Sequence, residues 1–148
     1  MRKIFEVVSV IVLSFFVSMN LYATEGCRED CGSKYELCEE IQGHFSGVFV
    51  IQNGAVETFP LAEVENEDDC SVELEFIDSV SGNEIELIIE HYDEINGSGF
   101  GHWFIDEVKA GDFNIDFDWN HYAGFGLRNS YDHSDDFQGW GLIKTTKN

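Results

Sequence analysis

Three histidines, His91, His102 and His121, are the residues of this chain whose side chains are best suited to chemistry. Imidazole binds zinc through a ring nitrogen and carries protons near neutral pH, so it serves in metal sites and in acid–base catalysis. His91 and His121 each follow a run of alternating apolar and polar residues and fall on its apolar side, while His102 shares its side with two phenylalanines. In an antiparallel meander, these positions predict three imidazoles at one rim of a β-barrel, all pointing inwards.

Three roles remain open for these imidazoles. They can hydrogen-bond to water or backbone at the barrel mouth, position a ligand whose body fills the interior, or form a metal site or an acid–base pair. A turn at residues 108–111 places His102 opposite Phe117, which leaves His121 about four residues, roughly 13 Å, further along the strand. This spacing disfavours one ion bound by all three, and we expect neither a metal nor a cofactor.

The tryptophans Trp103, Trp119 and Trp140 each fall within a predicted strand, and Phe117 shares the apolar side of its strand with Trp119. Such rings either pack a core or offer a ligand a large apolar face with one polar handle. The side on which Trp103 lies is ambiguous, because apolar residues occupy both sides of the segment 100–107. Together with the three histidines, these four aromatic residues form the predicted ligand-binding set.

The acidic residues do not form a recognisable site. Asp112, Asp116 and Asp118 share one side of a strand, and Asp-x-Asp-x-Asn at 116–120 imitates the start of a calcium loop. His121 stands where that loop requires glycine, so we predict a solvated face instead. No serine or cysteine nucleophile motif and no phosphate-binding loop is visible. These absences favour a binding protein over an enzyme.

The segment 111–122, GDFNIDFDWNHY, indicates the architecture most clearly, since apolar and polar residues alternate along it. Successive side chains of a strand point to opposite faces, so the pattern predicts one dry face and one anionic face. Similar patterns, separated by turn signals such as Asn53-Gly54, predict eight strands. They span residues 44–51, 55–59, 71–77, 84–92, 100–107, 111–122, 124–128 and 139–144.

We therefore predict an all-β domain over residues 43–148, an antiparallel eight-stranded up-and-down barrel of the calycin type. Closure removes the exposed edges that an open sheet would leave. The acidic segment 63–69 and the segment 129–137 are predicted as polar loops, and Pro60 as the end or an edge of the second strand. Gly43-His44-Phe45 resembles the Gly-x-Trp with which lipocalins open their first strand, although three residues do not define a family.

Residues 1–23 have the basic, apolar and small-residue regions of a secretory signal peptide, with a cut near Ala23. A lipid-anchored alternative, cut before Cys27, matches its cleavage box poorly. The chain is thus expected in the periplasm or outside the cell, where cysteines form disulfides. The segment 24–42 with its neighbouring loop holds four cysteines without the C-x2-C spacing of zinc sites. Our preferred pairing is Cys38 with Cys70 and Cys27 with Cys31.

The formal net charge of −21 becomes −22 once the signal peptide, with two basic residues and one acidic residue, is removed. Such a surface repels nucleic acids and anionic membranes, and it serves solubility or attracts a basic protein. The sequence thus predicts an exported barrel that binds a small apolar or amphipathic ligand in its interior. The alternatives are an isomerase, cyclase or lyase that uses the rim histidines, and an acidic module that binds or inhibits a basic enzyme.

Overall fold

The structure is a computed structural model that describes residues 26–130 and 133–144. Its strands follow one another in sequence order around a closed antiparallel barrel. They are β1 (Phe45–Gln52), β2 (Ala55–Asn66), β3 (Val72–Ile77), β4 (Glu84–Asp93), β5 (Ser98–Ile105), β6 (Val108–Asp118), β7 (Ala123–Ser130) and β8 (His133–Lys144). The predicted eight-stranded up-and-down barrel is confirmed. The predicted signal peptide and its cut near Ala23 lie outside the described residues.

Closure is produced by β1, which pairs with β2 on one side and with β8 on the other, so that Val48 lies between Phe59 and Leu142. Strand β6 shows the predicted alternation, because Phe113 and Ile115 are buried and the polar residues between them are exposed. Apolar side chains of β1 to β6 and of β8 meet in the barrel and fill its middle, which gives the sheet its dry face.

Parts of two predicted loops are instead strand. Strand β2 continues past Pro60 to Asn66, and Pro60 is the last residue of β2 that pairs with β1, while Leu61 is the first that pairs with β3. Residues 129–130 lie in β7 and residues 133–137 lie in β8, where Asn129 pairs with Phe137. Pairing around a closed barrel holds the backbone of these residues in the sheet.

Helix α1 (Ser33–His44) lies at the barrel end where β1 begins and contacts β1, β2 and β3. Leu37 and Ile41, one turn apart, are buried towards the barrel. The helix ends at His44 and β1 begins at Phe45, so the chain passes from helix to barrel wall without a loop. Helix α1 therefore covers one end of the barrel.

The disulfides join Cys27 to Cys38 and Cys31 to Cys70, with Cα–Cα distances of 5.5 and 5.2 Å. The preferred pairing was therefore wrong, although all four cysteines are bonded as expected. A single 3₁₀ turn at Glu29–Cys31 precedes α1, and Gly32 with φ of +61° separates the two. The chain thus folds back, and Cys27 comes to face the helix.

Candidate functional site

The barrel end opposite α1 holds a partly enclosed cavity of about 350 Å³. Aromatic and aliphatic side chains form its floor: Val50, Phe59, Phe76, Ile85, Trp103 and Ile105. Polar residues border it, among them Gln52, Asp78 and Gln138. Its volume lies at the lower end of the range of about 300–1,000 Å³ that is usual for small-molecule sites.

Arg128 is the unusual residue of this cavity. It points inwards from β7, and only 7% of its surface is exposed. Its guanidinium carbon lies 4.5 Å from the centroid of the Trp103 ring, and its Nε donates a hydrogen bond of 3.1 Å to Gln138 Oε1. Burial lowers the pKa of Arg128 to about 10, an effect that the Asp78 carboxylate partly opposes. The guanidinium is therefore still a cation at neutral pH.

Asp78 does not form an ion pair with Arg128, because its carboxylate caps the turn that follows β3. Its Oδ1 accepts hydrogen bonds from the backbone amides of Val80 (2.9 Å) and Ser81 (3.4 Å). Burial alone would raise the pKa of Asp78, but these hydrogen bonds and the attraction of Arg128 lower it overall. The described lining of the cavity thus contains one cation, Arg128. At its border lies one carboxylate, Asp78, which is already hydrogen-bonded within a turn.

Trp103 is held in place by an approach that only glycine permits. Its Nε1 donates a hydrogen bond of 2.7 Å to the carbonyl oxygen of Asn129, two strands away, and the indole crosses the intervening strand at Gly111. A Cβ at Gly111 would collide with both the Asn129 carbonyl and the indole nitrogen. The same arrangement recurs where the Trp140 indole crosses β7. The ring on which Arg128 lies is therefore fixed by the backbone itself.

The predicted aromatic residues are divided between the core and the two barrel ends. Trp103 lines the cavity and Trp119 lines a cleft at the other end. Trp140 is 1% exposed and packs edge-on against Phe113, with ring centroids 5.2 Å apart. Phe117 is buried and stacks on Trp119 at 4.6 Å. Phe117 and Trp140 thus use their rings for packing.

The cleft that Trp119 lines lies between α1 and the barrel and has a volume of about 600 Å³. The glutamates Glu36, Glu39, Glu40 and Glu94 border it, together with three tyrosines, Tyr35, Tyr92 and Tyr122. Tyr122 already attracts cations of the chain, since Lys144 Nζ lies 5.0 Å from its ring centroid. Carboxylates and aromatic faces together suit a positively charged group.

The prediction that three histidines point inwards at one rim was wrong. The register of β4 shifts between Ile89 and His91, which turns His91 outwards, where it stacks on Phe100. His102 also faces outwards, with Nδ1 2.5 Å from Asp112 Oδ1. His121 lies in the turn after β6, where its side chain is 80% exposed.

The histidines therefore do not converge, and each has a local partner. His102 Nε2 lies 3.4 Å from Glu90 Oε2, and His121 Nδ1 lies 2.6 Å from Asp118 Oδ2. These contacts lie on the outer face of the barrel, and no histidine is among the residues that line the described cavity. The geometry thus gives no support to a barrel enzyme that transfers protons through rim histidines.

The sequence reasoning missed Arg128 and Gln138. One signal could have found Arg128, which ends the predicted strand 124–128 in alternation with Gly124 and Gly126. Both glycines face the barrel, so a residue two positions further along faces it too. Arg128 is one of only three arginines in the chain. Charged side chains are rarely fully buried, so a cation at an inward position could have been identified as unusual.

One group of carboxylates in the described part of the chain has the spacing to hold a metal ion. Glu65, Glu67 and Glu73 each offer an oxygen within 4.8 Å of the others. Acidic groups commonly lie this close in the absence of any ion, so we do not assign a metal site to this cluster. The predicted stripe of aspartates on β6 lies on the exposed outer face.

No family model, no curated protein and no solved structure matches this chain. Within the ranges 26–130 and 133–144, no helix is long and apolar enough to cross a membrane. The two disulfides are consistent with a periplasmic or extracellular location.

Proposed function

We propose that this protein is exported and binds a small amphipathic molecule in the cavity at the open end of its barrel. The observation that carries the proposal is a cavity of about 350 Å³ that joins an apolar floor to one buried cation, Arg128. A few polar groups that converge on a mostly apolar pocket are the usual composition of a ligand site.

The two parts of the cavity have different roles in this proposal. The rings of Phe59, Phe76 and Trp103 take the apolar body of the ligand, which gains about 25 cal/mol for each Å² of apolar surface removed from water. The polar border orients its head group. Because the middle of the barrel is filled by side chains, the ligand lies near the mouth and does not thread the interior.

Native mass spectrometry of protein purified from its host, together with one pair of variants, tests this function. Gln52→Trp places an indole at the cavity border, and Ile51→Trp places the same group on the neighbouring exposed residue. We expect a bound small molecule in the wild type and in Ile51→Trp, and its loss from Gln52→Trp. Equal retention by both variants would show that the ligand binds elsewhere. An absence of any bound molecule from all three proteins would argue against the proposal.

A second candidate function is the capture of a basic protein through the cleft beside α1. The observation that favours it is the set of four glutamates and several aromatic rings around about 600 Å³, into which a lysine or arginine side chain would fit. An oligolysine peptide is a suitable probe, and its binding should weaken steeply with salt. Glu39→Gln combined with Glu94→Gln should weaken binding several-fold more than Glu57→Gln on β2. Equal effects would indicate nonspecific attraction.

A further inference from the structure

We infer that the ligand of the open-end cavity is a monoanion, a carboxylate on a compact apolar body, and that Arg128 is the residue that binds its charged group. This inference rests on the proposed function, and it adds the chemical class of the ligand. It also runs against the net charge of the chain, which is −21 and would repel anions everywhere else on the surface.

The first step of the argument is the missing counter-ion. Among the side chains that the structure describes, those of residues 26–130 and 137–144, no carboxylate oxygen lies within 4.0 Å of the Arg128 guanidinium. A buried charge without a paired partner is destabilising by several kcal/mol in general. A buried, unpaired cation is retained when it has a function. For an arginine that lines a cavity, that function is to bind an anion from solution.

The second step is the geometry of the guanidinium. Trp103 covers one of its faces, and Gln138 accepts the hydrogen bond of Nε. Within residues 26–130 and 137–144, whose side chains the structure describes, neither Nη nitrogen has a hydrogen-bond acceptor, and Arg128 lines the cavity. Two parallel N–H groups on one edge of a rigid plane match the two oxygens of a carboxylate. The arginine is thus oriented in advance for bidentate binding.

The third step selects a monoanion over a dianion. The carboxylate of Asp78 borders the same cavity and interacts with Arg128 through its charge. Because Asp78 already adds one negative charge to this cavity, every ligand charge beyond the one that pairs with Arg128 is unfavourable, so a phosphate dianion is disfavoured relative to a monoanion. The floor of Phe59, Phe76 and Ile85 accepts an apolar body but offers it no hydrogen bonds.

Isothermal titration of the full mature chain at pH 7 with three probes tests this inference. The probes are 2-naphthoate, 2-naphthylmethanol and 2-naphthylmethylammonium, which share one ring system and differ in charge. We expect the wild type to bind naphthoate about tenfold or more tightly than the alcohol, as a charge-assisted bidentate pair predicts. Arg128→Met should bind both within about twofold. The matched control Arg28→Met, far away on the amino-terminal segment, should keep the wild-type preference.

The outcomes separate the two proposals. If the wild type binds naphthoate and the alcohol equally, or prefers the ammonium, the anion inference is overturned while the proposed function stands. If no probe binds the wild type, both are overturned. Should Arg128→Met fail to fold, Arg128→Lys replaces it, because lysine keeps the charge and loses the planar fork. Its preference for naphthoate should then persist but decrease several-fold, and an unchanged preference would rule out bidentate binding.

Discussion

Replacing Arg128 by methionine should stabilise the protein in the absence of ligand. Methionine fills a similar apolar volume without a charge, and buried ions replaced in this way often leave proteins as stable as before or more so. Burial lowers the pKa of Arg128 well below its usual value, to about 10. At about 1.36 kcal/mol for each pH unit, this shift corresponds to about 3 kcal/mol of destabilisation by the buried charge.

The contacts that the substitution removes reduce this gain. The cation–π contact with Trp103 contributes about 1 kcal/mol, and the hydrogen bond to Gln138 contributes about another 1 kcal/mol. The free energy of unfolding of Arg128→Met should therefore exceed that of the wild type by about 1 kcal/mol. For a domain of this size, that difference raises Tm by about 3–5 °C.

The pH dependence follows from the direction of the shift. Because the folded-state pKa of Arg128, about 10, lies below its unfolded value, the folded protein binds fewer protons in the pH window between these two values. The destabilisation is thus fully present below pH 10 and disappears as the pH rises through that window. The difference between the variant and the wild type should accordingly be constant from pH 6 to pH 9.

Chemical denaturation followed by tryptophan fluorescence, with the disulfides intact, measures this difference, and Arg28→Met serves as the control. Arg28 is half-exposed and pairs with Asp30 and Asp68, so its replacement should change stability by less than about 0.5 kcal/mol. A loss of more than about 1 kcal/mol in Arg128→Met would refute the reasoning. Arg128 would then be a structural clamp between Trp103 and Gln138, and no ligand would be needed to explain it.

Three further predictions concern the barrel wall and its cross-links. Burial and neighbouring carboxylates raise the pKa of Glu86 to about 6, so the folded state loses stability as the pH rises from about 4.5 to 6. Glu86→Gln should remove that slope and stabilise the protein at pH 7 by about 1 kcal/mol, less than the full shift implies because water screens this partly exposed carboxyl, measured by urea denaturation across this range. Gly111→Ala should destabilise by more than about 3 kcal/mol in thermal unfolding, because backbone must move, whereas Gly43→Ala in α1 has open space and should not destabilise. Replacing Cys31 and Cys70 by serine opens a loop of 39 residues and should lower the unfolding free energy by about 2–4 kcal/mol, and an unchanged Tm would contradict this.

The alternation of residues was sufficient to predict the barrel because burial acts on every second residue of a strand. The alternation did not predict the direction of individual side chains at positions where the alternation is interrupted. The register shift after Ile89 reverses the direction of His91, and nothing in the sequence marks it. In β5 both sides are apolar, so the pattern did not decide that Trp103 points inwards while Phe100 is 57% exposed. His121 was assigned to a strand that ends at Asp118.

The disulfide pairing and the cavity depend on long-range geometry, which local patterns do not contain. The positive φ of Gly32 redirects the chain between Cys31 and α1, and a glycine at that point is compatible with many turns. The cavity exists because the helix covers one barrel end and leaves the other. The inward position of Arg128 was readable from its spacing to Gly126, but its burial against Trp103 requires the curvature of the closed sheet.

The distribution of charge between the two faces of the wall is the strongest reason to assign Arg128 a purpose. On the outer face, Glu75 lies directly opposite Glu63 on one neighbouring strand and Glu86 on the other, so like charges repel across the ladder. A cation placed on that face would relieve the repulsion, yet the chain keeps one arginine inside, where desolvation disfavours it. Stability alone would favour the opposite arrangement. A cation that is buried beside an apolar floor, in a wall that repels anions, is what the selective binding of one anion requires.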